Sequence, residues 1–247
     1  MVNIESTNDM KIYISTANQY LHLVKPFYYL FNKFWSSDKQ VTILGYDVPT
    51  FDLPANFNFV SLGKQEGGIK MWSTDLRKFF ESIDDDFFIY TVEDHFITWP
   101  VNFGILSKLV SLLDGNVGRI GLTNDTCRSA YDIYDRCDGY DIIERQQGEQ
   151  YRLSLLWGIW NREYLLKYLQ PGLDPHDFEV TSGEDAKNDG YKILGTYRDH
   201  CLHHCQGARK GNTQYIYTNP DRAFKFINDP RPLEPEIVED MKRKGLI

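Results

Sequence analysis

The 247-residue chain has little of several features that define common classes of protein. Its four cysteines are too few for a disulfide framework, and its polar start carries no secretory signal, so we expect a cytoplasmic protein. No apolar run approaches the roughly 20 residues of a transmembrane helix. Positive charge is also scarce: 27 lysines and arginines face 35 aspartates and glutamates, and the net charge of −8 argues against a nucleic-acid partner.

Familiar nucleotide-binding and hydrolase motifs are missing as well. The segment Lys64 to Lys70 lacks the Gly-x-x-x-x-Gly-Lys-Ser/Thr pattern of ATP-binding loops, and neither Gly-x-Gly-x-x-Gly nor Gly-x-Ser-x-Gly occurs. With 42% hydrophobic and 15% aromatic residues, the chain can nevertheless bury a large core. We therefore expect a single domain over residues 1–247, with 213–247 as a C-terminal extension packed on it.

Short apolar runs alternate with helical patterns along the chain. Strands are predicted at 11–16, 41–45, 57–62, 87–92, 118–123 and 191–194. Helices are predicted at 20–35, 73–83 (capped by Ser73), 101–113, 153–169, partly over 176–190, and at 235–244. Residues 124–150 are given no regular structure. This alternation predicts an α/β fold with a mostly parallel central sheet flanked by helices.

The most apolar predicted strand, 87–92, ends abruptly in the triplet Glu93-Asp94-His95. Ligands bind open α/β sheets at the carboxyl ends of such strands. Carboxylate oxygens and an imidazole nitrogen together suit a divalent ion such as Mn²⁺. Because the chain is acidic, a metal is the simplest means of neutralising a departing nucleoside diphosphate. The alternative interpretation of the triplet is a solvated turn.

A second group of histidines and cysteines lies at 200–205. Its spacing is too compact for a structural zinc site, which separates two ligand pairs by a dozen or more residues. We expect one histidine of this group to reach the same metal as His95, with packing in a turn as the alternative. Lys210 is a candidate phosphate contact or an ordinary surface residue. The carboxylates at 175–185 are either solvated or able to take a proton from an acceptor hydroxyl.

The order of these elements resembles that of the nucleotide-sugar glycosyltransferases of the GT-A fold. Three stretches carry the likeness: 12–17 as the first strand, 89–95 in the place of the Asp-x-Asp motif, and 153–160 through Phe178-Glu179 as the acceptor-side segment. The histidine in the third motif position is similar to the Asp-x-His version in polypeptide N-acetylgalactosaminyltransferases, in which a distant C-terminal histidine completes the site.

What the resemblance implies is transfer of a sugar from a UDP- or GDP-linked donor to a hydroxyl of a carbohydrate or lipid-linked glycan, with Mn²⁺ or Mg²⁺. The donor-binding residues would be Thr16, Ala17, Asp47, Lys70, Ser73, Glu93, Asp94 and Lys210. The metal ligands would be Asp94, His95, and His203 or His204. Glu179 would be the catalytic base, with Asp185 as the second choice.

Two other functions remain open at this point. A sugar-nucleotide nucleotidyltransferase on a related sheet should have a glycine-rich, basic loop after the first strand, and residues 15–19 have neither feature. A non-catalytic carbohydrate-binding module would keep the fold without turnover. Calorimetry with nucleotide sugars, with and without Mn²⁺, separates a transferase from such a module.

Overall fold

The computed structural model describes residues 10–207 and 233–247, which form two sheets and six α-helices. The larger sheet contains β1 (Ile12–Ser15), β2 (Val41–Gly45), β3 (Phe57–Ser61), β4 (Phe87–Val92), β6 (Val117–Gly121), β7 (Tyr131–Cys137), β8 (Tyr140–Arg145), β9 (Gly158–Asn161) and β10 (Lys192–Tyr197). The smaller sheet pairs β5 (His95–Ile97) with β11 (His204–Gln206). The helices are α1 (Val24–Phe34), α2 (Met71–Glu81), α3 (Phe103–Val110), α4 (Arg162–Tyr168), α5 (Pro175–Asp185) and α6 (Pro235–Arg243).

The strand order of the larger sheet is β3-β2-β1-β4-β9-β6-β10-β8-β7. Parallel ladders join β3, β2, β1 and β4, and also join β6 to β10. Only β9 and β8 run against the others, so seven of these nine strands point the same way. The expected α/β class, with a mostly parallel sheet in a Rossmann-like arrangement, is confirmed.

Helices cover both faces of this sheet. α1, α3 and α6 contribute to one hydrophobic cluster, and α2, α4 and α5 contribute to the other. Neighbouring residues of a strand point to opposite faces. In β4, therefore, Phe87 and Ile89 enter the first cluster while Phe88 and Tyr90 enter the second. Burial on both faces explains why this strand carries no charged side chain.

Successive strands are added on one side of β1 as far as β3, and β4 is then added on the other side of β1. The connection from β1 to β2 passes through α1 on one face, and the connection from β3 to β4 passes through α2 on the other. β2 and β4 consequently flank β1 on its two sides. In open α/β sheets this switch point is where a crevice forms at the carboxyl ends of the strands.

Two regions of the larger sheet form strands that the sequence did not predict, and β5 and β11 of the smaller sheet were not predicted either. Residues 131–145, left without regular structure, form the β7–β8 hairpin, whose turn contains Gly139 at φ 83°. The segment 153–169, predicted as one helix, instead supplies β9 before α4. In β9, Trp160 and Ile159 face opposite clusters, and α4 starts only after Asn161, whose side chain accepts from the N–H of Tyr164.

Smaller corrections concern helix ends and the C-terminal extension. Helix α2 begins at Met71, so Ser73 is not its cap; its hydroxyl accepts from the N–H of Leu173 at 2.8 Å. The pattern at 20–35 begins as a 3₁₀ helix at Asn18–Leu23. Most of the extension predicted at 213–247 lies outside the described residues, while α6 packs Met241 into the first cluster. None of the described helices combines the length and hydrophobicity needed to cross a bilayer.

Candidate active site

A cavity of about 930 Å³ opens at the carboxyl ends of β1 and β4, at the switch point of the sheet. The residues predicted from the sequence that line it are Thr16, Ala17, Glu93, Asp94, His95, Glu179 and His204. Those that do not line it are Asp47, Lys70, Ser73, Asp185 and His203. Lys210 lies outside the described residues. The structure therefore brings together two strand ends, one carboxyl group of α5 and one histidine of β11.

The two strand ends form an acidic part of the cavity. The N–H of Glu93, directly after β4, donates to the carbonyl of Ser15 at the end of β1 over 3.2 Å. Burial and the charge of Asp94 raise the pKa of the Glu93 carboxyl well above its ordinary value. Tyr20 lines the same cavity, and its pKa is raised by burial and by the charges of these two carboxyls. This part of the cavity favours a cation, or a ligand that brings one.

The ring of His95 is held in one orientation. The Trp157 indole N–H donates to the His95 carbonyl at 2.8 Å, and the ring Nδ1 lies 3.0 Å from the hydroxyl oxygen of Thr91. That hydroxyl donates to the carbonyl of Leu155, so its oxygen accepts the proton on Nδ1. Burial lowers the pKa of His95 and favours the neutral ring. Nε2 then presents a lone pair 3.5 Å from Asp94 Oδ1, an arrangement suited to a cation between the two atoms.

The short β5–β11 ladder brings the two histidine-containing segments together. Gln206 pairs with His95, and the rings of His95 and His204 lie 5.7 Å apart. The Gln206 amide also donates to Asp94 Oδ2 over 3.2 Å. Within residues 10–207 and 233–247, no three His, Cys, Asp or Glu side chains are grouped to hold a metal ion. Asp94, His95 and His204 thus line one cavity without forming a complete metal site.

Glu179 reaches the cavity from the middle of α5. Asp174 caps this helix, because its side chain accepts a backbone N–H of the first turn. Glu179 Oε1 accepts from the N–H of Leu155 at 2.7 Å. Burial raises the pKa of this carboxyl, although that hydrogen bond and the charge of Arg119 act in the opposite direction. A carboxyl with a raised pKa inside a cavity is suited to accept a proton from a hydroxyl.

Leu155 connects the carboxyl group of α5 to the histidine of β5. Its N–H is bound by Glu179, and its carbonyl is bound by Thr91, which in turn contacts His95. All of these polar contacts lie within or beside the cavity, and Thr91 is fully buried. The candidate base and the candidate metal ligand are therefore positioned by one shared backbone segment.

The sequence analysis missed the part of the cavity formed after β6 and β8. Arg128, Ser129, Arg145 and Tyr151 line it. Arg145 is buried at the end of β8, and its Nη2 donates to the carbonyl of Asp125 at 2.5 Å. Nothing in the local sequence marks these residues, because segments far apart in the chain bring them together. His176 and Tyr20 were also missed, although each stands close in sequence to a predicted site residue.

The predicted residues outside the cavity have other contacts. Lys70 forms ion pairs with Asp174 and Asp177 at the start of α5. Asp47 accepts from the side chain of Asn18 at 2.7 Å. Asp185 is exposed at the end of α5, six residues or about 9 Å along the helix from Glu179. His203 Nε2 lies 3.7 Å from Asp199 Oδ1.

Among known proteins, no family model and no curated protein matches this chain. A similar solved structure is titled a cytidylyltransferase from Leptospira borgpetersenii serovar Hardjo-bovis. Its TM-score is 0.47 at 10% sequence identity, and the alignment covers 96% of this chain and 94% of that one. The sheet topology itself defines the class of the fold, an α/β protein with a cavity at the switch point of its sheet.

Proposed function

We propose that the protein is a glycosyltransferase of the GT-A type. It would transfer a sugar from a nucleoside diphosphate to a hydroxyl of a carbohydrate or lipid-linked glycan. The observation that carries the proposal is that one cavity contains both the acidic strand ends at the switch point and the half-buried carboxyl of Glu179. The first feature suits a phosphate-bound cation, and the second suits deprotonation of an acceptor.

The donor would lie over the carboxyl ends of β1 and β4. Thr16 and Ala17 follow β1 directly, and Tyr20, Tyr46 and Trp72 add aromatic surface to the same cavity. Aromatic faces beside exposed backbone are typical of sites for planar nucleosides. Asp47, Lys70 and Ser73 are not needed for this placement, because they do not line the cavity.

Asp94 and His95 would hold Mn²⁺ or Mg²⁺, and His204, whose ring lies 5.7 Å from that of His95, would have to move closer to become a third ligand. They fit such an ion because the lone pair of His95 Nε2 faces the Asp94 carboxylate. Such an ion usually keeps part of its coordination for substrate phosphates and water, so an incomplete protein ligand set is sufficient. The ion would supply positive charge for the departing diphosphate.

Glu179 would take the proton of the acceptor hydroxyl. Its hydrogen bond to Leu155 holds one oxygen and fixes the orientation of the carboxyl group. The raised pKa makes it a stronger base than an exposed glutamate. Asp185 is the weaker candidate because it is exposed outside the cavity.

A sugar-nucleotide nucleotidyltransferase is the second candidate function. Such an enzyme must bind a nucleoside triphosphate and release pyrophosphate. The segment that follows β1 has no lysine or arginine between Thr16 and Leu23, so it offers little charge for a triphosphate. A non-catalytic carbohydrate-binding module is the third possibility, and it requires neither nucleotide nor metal.

Calorimetry with UDP-, GDP- and CMP-sugars, with and without Mn²⁺, tests the proposal. We expect Mn²⁺-dependent binding of a UDP- or GDP-sugar and its slow hydrolysis in water, which releases UDP or GDP. Pyrophosphate release from a nucleoside triphosphate and a sugar 1-phosphate would instead establish the second candidate. Absence of nucleotide binding under all conditions would leave only the binding module.

A matched pair of variants tests the metal assignment. His204→Gln should weaken Mn²⁺-dependent donor binding by about tenfold or more, whereas His203→Gln, one residue away and outside the cavity, should not. Equal effects of the two variants, or unchanged metal dependence in His95→Gln, would contradict the assignment.

A further inference from the structure

Tyr151 has a backbone conformation that aromatic residues rarely adopt. Its φ is 56°, in the left-handed region that favours glycine and asparagine. Burial of the ring does not compensate for this strain, because Tyr151 is 49% exposed while Arg152 to Leu155 are buried. Strained residues of this kind cluster at active sites and ligand-binding sites. The strained backbone therefore marks Tyr151 as a candidate functional residue, unlike an ordinary surface tyrosine.

Arg145 holds Tyr151 in this conformation. Its Nη1 donates to the carbonyl of Gln150 at 2.9 Å and also to the carbonyl of Tyr151. Its Nη2 is bound to the carbonyl of Asp125, a residue whose carboxylate forms a buried ion pair with Arg119 at 2.9 Å. The strained backbone is thus attached to a buried polar network rather than to a loose loop.

Tyr151 lines the same cavity as Glu179. β8, whose last residue is Arg145, lies four strands from β4 in the sheet, about 19 Å at the usual strand spacing. α5 is close to this segment, because a Cβ built on Gly183 would lie 4.0 Å from the Tyr151 nitrogen. The backbone of Tyr151 therefore lies next to α5, the helix of Glu179, and is bound by Arg145 of a strand that is far from β4 in the sheet.

We infer that Tyr151 is a platform for the acceptor, on which the apolar face of a sugar ring stacks. The inference rests on the proposed function and names the acceptor as a carbohydrate with an exposed CH face. An aromatic ring provides a large contact area with few rotatable bonds, and therefore contributes to specificity at a small cost in entropy. Arg145 acts as a positioning residue for this ring.

Saturation-transfer NMR with methyl β-glycosides of glucose, galactose and N-acetylglucosamine tests the inference. We expect at least one of them to bind the wild-type protein, and Tyr151→Gly to weaken that binding about threefold to tenfold. Tyr151→Phe should retain it. Because glycine relieves the strain, Tyr151→Gly should also raise Tm by about 2–4 °C. A residue with a purely structural role would not combine higher stability with weaker sugar binding.

Asn188→Gly is the matched control, because Asn188 also has a left-handed backbone (φ 57°) and lies outside the cavity. It should leave glycoside binding unchanged. The inference is overturned if no glycoside binds the wild type, if Tyr151→Gly binds sugar normally, or if Tyr151→Phe loses as much as Tyr151→Gly. It is also overturned if Tyr151→Gly weakens the binding of a UDP-sugar instead of the binding of the glycosides. Failure of all nucleotide sugars to bind would count against the proposed function alone, since the glycosides are measured without them.

Discussion

Replacing Thr91 with valine removes one hydroxyl group from the centre of the candidate site. Valine has nearly the same shape, so packing is preserved, but the Leu155 carbonyl and His95 Nδ1 each lose a hydrogen-bond partner. Thr91 is fully buried, so water does not replace the lost contacts. An unsatisfied buried polar group costs about 1–3 kcal/mol, and two of them cost roughly 2–6 kcal/mol. At the lower half of that range, roughly 2–4 kcal/mol, Tm should fall by roughly 4–16 °C for a chain of this size.

Thr91→Val should also change metal-dependent donor binding. Without the hydroxyl, the proton of neutral His95 is free to move to Nε2, where it faces Asp94. The lone pair is then no longer available to a cation, and we expect donor affinity in Mn²⁺ to fall about 10–100-fold. Calorimetry with and without Mn²⁺ measures this effect separately from stability.

Thr91→Ser provides the control for these two effects. Serine keeps the hydroxyl and loses one methyl group, which costs about 1 kcal/mol. We therefore expect Thr91→Ser to be more stable than Thr91→Val and to bind donor nearly as the wild type does. If the two variants unfold at the same temperature, or if Thr91→Val is as stable as the wild type, the hydrogen-bond reasoning is refuted.

Three further predictions concern the base and the buried charges. Glu179→Gln should lower kcat by about 10²–10⁴-fold. Because the pKa of Glu179 is raised, the wild type should lose activity as pH falls through a value above the ordinary glutamate range. The residual activity of the variant should not show this loss at acid pH. Asp125→Asn should lower the free energy of unfolding by about 3–5 kcal/mol in urea denaturation at neutral pH. Burial raises the pKa of Asp125, but the charges of Arg119 and Arg145 lower it by more, so the net pKa is below the ordinary value. The stability difference between variant and wild type should therefore shrink as pH falls through the acid range. Gly158→Ala should cost about 1–3 kcal/mol in the same assay, since its Cβ would lie 2.8 Å from Arg119 Nε, and an unchanged midpoint would contradict this contact.

The central strands could be predicted from sequence because both of their faces are buried. β2 and β4 have the bounds that their apolar runs predict, Val41–Gly45 and Phe87–Val92. A mostly apolar run without charged residues has few alternatives when short turns bound it. The same reasoning located the triplet Glu93-Asp94-His95 at the carboxyl end of a strand, and hence the acidic part of the cavity.

The edge of the sheet was harder to predict. β7 is an edge strand with mostly exposed or half-buried residues, so its composition resembles a polar loop. The Asp138-Gly139 pair at its turn was the usable signal for a hairpin. β9 was hidden for a different reason: the aromatic residues of 153–169 occupy both a strand and a helix, and apolar spacing alone does not separate the two.

The Tyr151 side of the cavity depends on contacts that no local pattern reveals. Arg145 binds carbonyl groups of Asp125, Gln150 and Tyr151, and backbone carbonyls leave no mark in the amino-acid sequence. Lys70 is the opposite case, because the family resemblance implied a contact with the donor, whereas in the structure this lysine forms ion pairs at the start of α5 and does not line the cavity.

The β5–β11 ladder has a consequence for how the protein is made. His95 leaves the ribosome more than a hundred residues before its partner Gln206, so for much of translation the N-terminal half lacks the strand that covers it. Nascent chains that stop short of residue 204 should therefore form the early core but not a competent ligand pocket. Ligand binding would become possible only in the last stage of biosynthesis, after the central sheet has assembled.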